Sequence, residues 1–168
     1  MESLLIITGT MGSGKTAVLY EASDILIEHR IIHAAIDLDA LGVAHLPAAA
    51  SDGVMWENLR SICTNYLRLG VQRFLVARAL EDRAQLELCH GILSDPEIAV
   101  CRLTASIETM KRRVVARETG ISQKCYVARV EHLNSILDGA RLEDFSVSTE
   151  ERSITEVALE MLTQAGWI

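Results

Sequence analysis

Short runs of apolar residues alternate along the chain with longer segments in which apolar residues recur at helical spacing. The short runs predict five β-strands, at 4–7, 31–36, 73–77, 98–103 and 145–148. The first run, Leu-Leu-Ile-Ile, is apolar at every position, which is typical of a strand buried on both faces of a parallel sheet. The longer segments predict helices at 16–29, 54–69, 82–93, 106–118 and 127–137, and a last helix that begins with the capping-box sequence Ser-Ile-Thr-Glu at 153–156.

Regular alternation of strands and helices predicts right-handed βαβ units and a parallel sheet covered by helices on both faces. A stretch rich in Gly, Pro, Ala and Ser at 42–53 is predicted to be a loop. With 168 residues and neither a linker nor an internal repeat, the whole chain, 1–168, is expected to form a single domain.

The composition narrows the class of protein. Apolar residues make up 49% and charged residues 23%, with a formal net charge of −7, so broad binding to nucleic acid is not expected. The four cysteines show no metal-binding or redox spacing and are expected to be reduced. The sequence starts without the pattern of a signal peptide and holds no apolar run of membrane-spanning length, so a cytoplasmic protein is predicted.

A phosphate-binding motif follows the first strand and opens the first helix. Residues 9–16, Gly-Thr-Met-Gly-Ser-Gly-Lys-Thr, fit G-x-x-x-x-G-K-[ST] without a mismatch. Lys15 is predicted to bridge the β- and γ-phosphates of a nucleoside triphosphate, and the Thr16 hydroxyl to bind Mg²⁺. The backbone N–H groups of the loop are predicted to point inward at the phosphate oxygens. The loop residues expected to bind the nucleotide in this way are Gly9, Gly12, Ser13 and Gly14.

Two acidic residues, Asp37 and Asp39, follow the second strand, at the edge where open parallel sheets bind ligands. Asp37 is predicted to act on an acceptor hydroxyl as a catalytic carboxylate, and Asp39 to hold Mg²⁺ through water. The two roles could be exchanged, and either residue could instead cap a turn. The third strand runs into Arg78 rather than an acidic residue, so a carboxylate for the metal must come from this pair.

Arg113 and Arg117 lie four residues apart, and therefore on one face of the helix after the fourth strand. Two guanidinium groups beside the glycine at 120 suit a lid, at about 112–126, that neutralises charge on a transferred phosphoryl group. The alternative is a solvated face whose arginines pair with nearby glutamates.

An acceptor pocket is predicted near the acidic pair. Arg60 and Arg78 are candidates to contact an anionic acceptor, although each could equally be a surface residue. The residues expected to line this pocket are Asp37, Asp39, Trp56, Asn58 and Arg78.

The order of these features (phosphate loop, acidic pair, arginine helix) resembles the nucleotide-kinase-like group of P-loop kinases. That group includes adenylate, shikimate, gluconate and adenylylsulfate kinases and chloramphenicol phosphotransferase. The stretches at 37–42 and 56–59 are also similar to small bacterial ATP-binding proteins of this group. The resemblance implies a P-loop NTPase three-layer α/β/α sandwich with strand order 2-3-1-4-5, ATP as donor, and a short helical lid. It also implies that Arg152, or the backbone of 149–152, lies near the adenine.

The sequence therefore favours an ATP-dependent kinase that transfers the γ-phosphoryl group to the hydroxyl of a small acceptor, with Mg²⁺ as cofactor. A regulatory ATPase or switch without such an acceptor, and a nucleotide kinase, remain alternatives. The acceptor, the choice between ATP and GTP, and the choice between monomer and homodimer stay open, and no nucleic-acid or membrane partner is expected.

Overall fold

The computed structural model describes residues 1–44 and 48–168, apart from the side chains of 48–52 and 122. All five strands pair in parallel, in the order β2-β3-β1-β4-β5, which confirms the predicted fold class. The strands are β1 (Ser3–Thr8), β2 (Ala34–Asp37), β3 (Arg73–Ala77), β4 (Glu97–Thr104) and β5 (Phe145–Ser148).

Within the described residues, six α-helices and one short 3₁₀ helix connect and cover the strands. The 3₁₀ helix, Leu38–Gly42, follows β2 directly. The α-helices are α1 (Lys15–Glu28), α2 (Ala48–Arg68), α3 (Arg83–His90), α4 (Ile107–Arg117), α5 (Ile121–Ala140) and α6 (Ile154–Gln164). None of the helices in the described ranges is long and apolar enough to cross a membrane.

The predicted loop at 42–53 is wrong over 48–53, where α2 has already begun, while residues 45–47 lie outside the described chain. The three alanines at 48–50 are strong helix formers, and their propensity outweighs the glycine at 53. The second strand starts at Ala34, three residues later than predicted. The reason is that Arg30 adopts a positive φ of 55° and the Ile31 amide bonds to the Leu26 carbonyl, so this stretch ends α1.

The sheet separates two apolar layers, because alternate residues of β1 point to opposite faces. Leu5 and Ile7 pack with residues of α1 and α6. Leu4 and Ile6 pack with residues of α2, including Leu59. These four apolar side chains of β1 are all buried, as the uninterrupted apolar run predicts.

Helices α4 and α5 form a hairpin that packs on the phosphate loop. Met11 of the loop contacts an apolar cluster of Met110, Val114 and Val130. The Thr10 hydroxyl donates to the Val130 carbonyl over 3.3 Å. The hairpin is therefore anchored to the phosphate loop at the carboxyl end of β1.

Candidate active site

The backbone of the phosphate loop requires glycine at three points, the first being Gly9, which has φ 150° and no room for a Cβ beside Ser13 and the Leu103 carbonyl. Gly12 has φ 78° and Gly14 has φ 98°, in the left-handed region that strains residues with a Cβ. A Cβ on Gly12 would also overlap the Met110 carbonyl group, whereas the space beside Gly14 is open. The loop closes with the Ser13 amide donating to the Thr10 carbonyl over 3.2 Å. The result is a tight turn leading directly into the N-terminus of α1, which favours anion binding.

Lys15 lies across the mouth of this turn. Its ammonium donates to the carbonyl oxygens of Gly9 (2.9 Å) and Thr10 (3.2 Å). Burial lowers the pKa of Lys15 to about 8, and the nearby carboxylates of Asp39 and Asp37 offset this only in part. The ammonium is thus poorly solvated, so a phosphate group at this place would meet a cation that lacks a strong counter-charge.

Thr16 and Asp37 are brought into direct contact. The Thr16 hydroxyl lies 2.8 Å from Oδ2 of Asp37, across the gap between α1 and the end of β2. The other carboxylate oxygen of Asp37 accepts the Asp39 amide at 3.2 Å, which fixes the carboxylate at the start of the 3₁₀ helix. A hydroxyl and a carboxylate oxygen are hard donors of the kind Mg²⁺ prefers, so the pair fits a divalent cation shared with phosphate oxygens.

Asp39 points to a different partner. Its carboxylate forms an ion pair with Arg78, which lies just beyond β3. The Asp39 side chain is 53% exposed and that of Arg78 21%. The Nε of Arg78 is buried and has no hydrogen-bond partner within the described structure. An unpaired buried donor costs about 1–3 kcal/mol, so this position of the Arg78 side chain lowers the stability of the fold.

A cavity of about 440 Å³ collects the phosphate-loop and acidic residues. Its predicted members are Gly12, Gly14, Lys15, Thr16, Asp37, Asp39 and Arg117. The sequence reasoning missed Tyr126 and Arg129, which reach the same cavity from α5. The Arg129 guanidinium pairs with Glu81 at 2.9 Å. The available signal was the i, i+3 spacing of Tyr126 and Arg129, but that spacing does not tell which neighbour α5 packs on.

The two arginines of α4 have different surroundings. Arg113 donates to the Gly12 carbonyl (3.3 Å), and to the hydroxyl (2.8 Å) and carbonyl (2.8 Å) of Thr149. Arg117 is exposed, pairs with Glu118 at 2.7 Å, and lines the 440 Å³ cavity. One face of the helix thus supplies a fixed arginine that joins two loops, and an exposed arginine beside the phosphate site that is paired with Glu118.

A smaller, mostly apolar cavity of about 210 Å³ lies on the other side of Gly14. Arg152 lines it, held by the Ser148 carbonyl at 3.2 Å and by an ion pair with Glu160 at 2.6 Å. Arg113 and Thr149 lie at the same place, and the remaining lining comes from Ser13, Ala17, Val18, Ile154 and Val157. We call it the α1–α6 cavity, after the two helices that line it. It adjoins the phosphate loop at Gly14 and does not include the acidic pair in its lining.

The loop that borders the α1–α6 cavity is held against α4 by Glu150. Its carboxylate accepts the Ser106 amide (2.8 Å) and the Thr109 hydroxyl (2.5 Å). These bonds, with the Thr109 hydroxyl contributing most, lower the pKa of Glu150. The cavity wall therefore depends on an ionised carboxylate that lies outside the cavity.

A further cavity of about 410 Å³, which we call the α2–α3 cavity, opens between those two helices. Trp56 and Arg60 line it from α2, and Arg78 lies at its boundary with the 440 Å³ cavity through its ion pair with Asp39. Asn58, predicted to line the same pocket, instead donates to the Leu41 carbonyl at 2.9 Å and holds α2 against the 3₁₀ helix. The structure thus brings Trp56 and Arg78 together and places the Asn58 amide elsewhere.

No protein-family model matches the sequence, and no curated protein matches it significantly. Solved structures do match over nearly the whole chain. APS kinase from Mycobacterium tuberculosis, in complex with AMPPNP and APS, is 20% identical, with a TM-score of 0.66 and coverage of 98% of both chains. A gluconokinase from Sinorhizobium meliloti 1021 is 18% identical, with a TM-score of 0.62, covering 98% of this chain and 91% of that one. Shikimate kinase from Acinetobacter baumannii, in complex with shikimate, is 15% identical, with a TM-score of 0.62, covering 98% and 93%.

These similarities establish the class of fold. The chain has the nucleotide-kinase-like P-loop fold, as the order of its motifs indicated. At such identities the likeness extends to the fold and not to a substrate, so the chemistry must be argued from the side chains of this protein.

Proposed function

We propose that the protein is a phosphotransferase that moves the γ-phosphoryl group of ATP to a hydroxyl of a small acceptor. The observation that carries this proposal is the adjacency of two cavities. One holds the phosphate loop with Lys15, Thr16 and Asp37, the other lies between α2 and α3, and the Asp39–Arg78 ion pair stands between them. A donor and an acceptor could therefore meet at Asp39.

The triphosphate of the nucleotide would lie along the phosphate loop, and the nucleobase would lie in the α1–α6 cavity beside Arg113 and Arg152. That cavity adjoins Gly14, so a nucleotide can place its base there and its phosphates at Lys15 without crossing the acidic pair. ATP as the donor is supported by the AMPPNP bound to the structurally similar APS kinase.

Thr16 and Asp37 would hold Mg²⁺, with Asp37 acting directly or through water. The cation supplies charge neutralisation on the β- and γ-phosphate oxygens. This reverses the roles favoured from sequence, in which Asp39 was the metal-linked carboxylate and Asp37 the catalytic one. The contact between Thr16 and Asp37 is the reason for the exchange, because the metal must touch the threonine hydroxyl.

Asp39 would then orient the acceptor hydroxyl and take its proton. The acceptor oxygen forms a bond to the γ-phosphorus as the bond from that phosphorus to the β–γ bridging oxygen breaks, and ADP leaves. Lys15 stabilises the charge on the phosphates. Arg117 and Arg129, at the edge of the same cavity, are placed to add positive charge after leaving Glu118 and Glu81.

A regulatory ATPase without an acceptor is the second candidate. It would explain the phosphate loop and the arginines, but it gives no purpose to the α2–α3 cavity. We therefore favour the kinase.

The deciding experiment is a screen of a metabolite library for ATP-dependent phosphorylation, read by ADP release and confirmed by mass spectrometry of the product. At least one hydroxyl compound should gain 80 Da while the Lys15→Ala protein shows no transfer, since ~80 Da is the mass of the added phosphoryl group. Slow ATP hydrolysis without any phosphorylated product would favour the regulatory ATPase.

A further inference from the structure

The charges around the α2–α3 cavity carry information about the acceptor. From α2, Trp56, Glu57 and Arg60 face the cavity, at spacings that put them on one side of the helix. Asp82 faces it from the start of α3, and Arg78 from the end of β3. The cavity therefore presents groups of both signs.

One of these cations is already neutralised. Arg78 forms its ion pair with Asp39, and Oδ1 of Asp82 accepts the Gln85 amide at 2.9 Å as the cap of α3. Neither Glu57 nor Arg60 forms a salt bridge within the described part of the chain. With Asp39 included, three carboxylates and two guanidinium groups surround the site. A multiply charged anion would meet net repulsion there.

The apolar part of the lining also accepts a cation. Trp56 offers an aromatic face, and an ammonium over such a face gains attraction from the ring quadrupole. Met55, Ala84 and Leu88 complete a surface for a short carbon skeleton. An ammonium group can thus be bound by Glu57, Asp82 and the indole together.

We propose that the acceptor is a small amphoteric hydroxy compound, which carries one ammonium and one acidic group in addition to the hydroxyl. The ammonium lies against Trp56, Glu57 and Asp82, the acidic group against the guanidinium groups of Arg60 and Arg78, and the hydroxyl at Asp39. This inference rests on the proposed function for the hydroxyl, but not for the binding of the two charges. It disfavours a nucleoside monophosphate as acceptor, since the phosphate would face the surplus of carboxylates.

Binding can be measured without catalysis because Trp56 is one of only two tryptophans. In a Trp167→Phe background, the fluorescence of Trp56 reports on the cavity alone, and a Trp56→Phe version serves as the blank. The probes are four charge classes on one four-carbon hydroxy skeleton: L-homoserine as the zwitterion, 4-hydroxybutanoate as the anion, 4-amino-1-butanol as the cation and 1,4-butanediol as the neutral compound. Pools of other hydroxylated zwitterions, sugar acids, sugar phosphates and nucleoside monophosphates extend each class, and calorimetry on the unmodified chain repeats every titration.

Zwitterionic probes should bind tightest, and Glu57→Gln and Arg60→Gln should each weaken them by about fivefold or more. Glu57→Gln should not weaken the anionic probe, because that probe lacks the ammonium. Glu87→Gln and Arg68→Gln, on exposed helix positions away from the cavity lining, are the matched controls and should change nothing.

The amphoteric class is overturned if only anions bind, or if a nucleoside monophosphate binds the unmodified chain more tightly than every zwitterion. It is also overturned if no class changes the Trp56 signal or the calorimetric heat. The failure of the proposed function looks different. Zwitterions that bind with the expected mutational pattern but never receive phosphate from ATP would retain the amphoteric site and reject the kinase. Transfer to a neutral or purely anionic acceptor would retain the kinase and reject the amphoteric class.

Discussion

The Thr16 hydroxyl lies 2.8 Å from a carboxylate oxygen of Asp37, although 21 residues separate them along the chain. The contact ties the first turn of α1 to the end of β2 and distinguishes two acidic residues that the sequence presents as equivalent. Asp37 faces the phosphate loop, and Asp39 faces Arg78.

Substitution of the two carboxylates by asparagine should therefore affect different kinetic parameters. Asp37→Asn should raise the Mg²⁺ concentration needed for half-maximal transfer by about 10–100-fold, which is the usual loss of metal affinity when a residue that supports a metal site is replaced. Asp39→Asn should leave that concentration nearly unchanged and lower kcat by about 10²–10⁴, the usual contribution of a general base. Magnesium titrations of the transfer rate check both, and the opposite pattern would restore the roles favoured from sequence.

ATP affinity should depend on pH through Lys15. In the free protein the pKa of Lys15 is lowered to about 8, and phosphates bound beside the ammonium raise it again. Binding above pH 8 must then take up a proton, so affinity is constant well below pH 8 and falls as pH rises above it, by at most about tenfold per unit. Calorimetry at pH 9 in buffers of different ionisation enthalpy should detect the uptake, and the residual binding of Lys15→Ala should show none.

Gly12→Ala should damage the phosphate loop through its backbone. The new methyl group would overlap the Met110 carbonyl at a position with φ 78°, which costs about 1–3 kcal/mol or more of folding stability. Gly139→Ala is the matched control, because Gly139 lies in α5 with open space around it, and there alanine should stabilise by up to about 1 kcal/mol. Urea denaturation of both variants measures the difference, and equal midpoints would contradict the strain assigned to Gly12.

The arginines of α4 should be separable by kinetics. Arg113→Gln removes the three hydrogen bonds that Arg113 donates to Gly12 and Thr149, so ATP affinity should fall by about tenfold or more. Arg117→Gln removes a charge beside the phosphate cavity and should lower kcat with a smaller change in ATP affinity. A direct ATP titration together with transfer rates separates the two effects. Identical losses in both variants would mean that the arginines act as one unit.

Cysteine reactivity should report on the hairpin alone. Burial raises the pKa of Cys63, Cys89 and Cys101 to about 12, whereas Cys125 is exposed on α5. A maleimide should modify Cys125 rapidly and the other three only on unfolding, as mass spectrometry of peptides would show. A non-hydrolysable ATP analogue should slow Cys125 if the α4–α5 hairpin closes over nucleotide, and an unchanged rate would argue against the lid at 112–126.

Local sequence patterns were enough to predict the phosphate loop, the five strands and the layered parallel sheet. These features depend on local patterns: the glycine spacing at 9–14, the period of apolar residues, and the alternation of strand and helix. The position of the acidic pair at the end of the second strand was also predicted, because Asp37 directly follows the apolar run of that strand. The element boundaries were less certain, and α2 and α5 begin about six residues before their apolar periodicity becomes clear.

Which side chains meet depends on tertiary packing. Asp37 and Asp39 differ in environment because one lies opposite α1 and the other opposite the end of β3, and sequence spacing carries no information on either neighbour. Arg129 belongs to the phosphate cavity because α5 packs on Met11 of the loop, a contact between segments more than 110 residues apart. Local periodicity specifies the face that an element buries, whereas the partner of that face depends on how all the layers pack together.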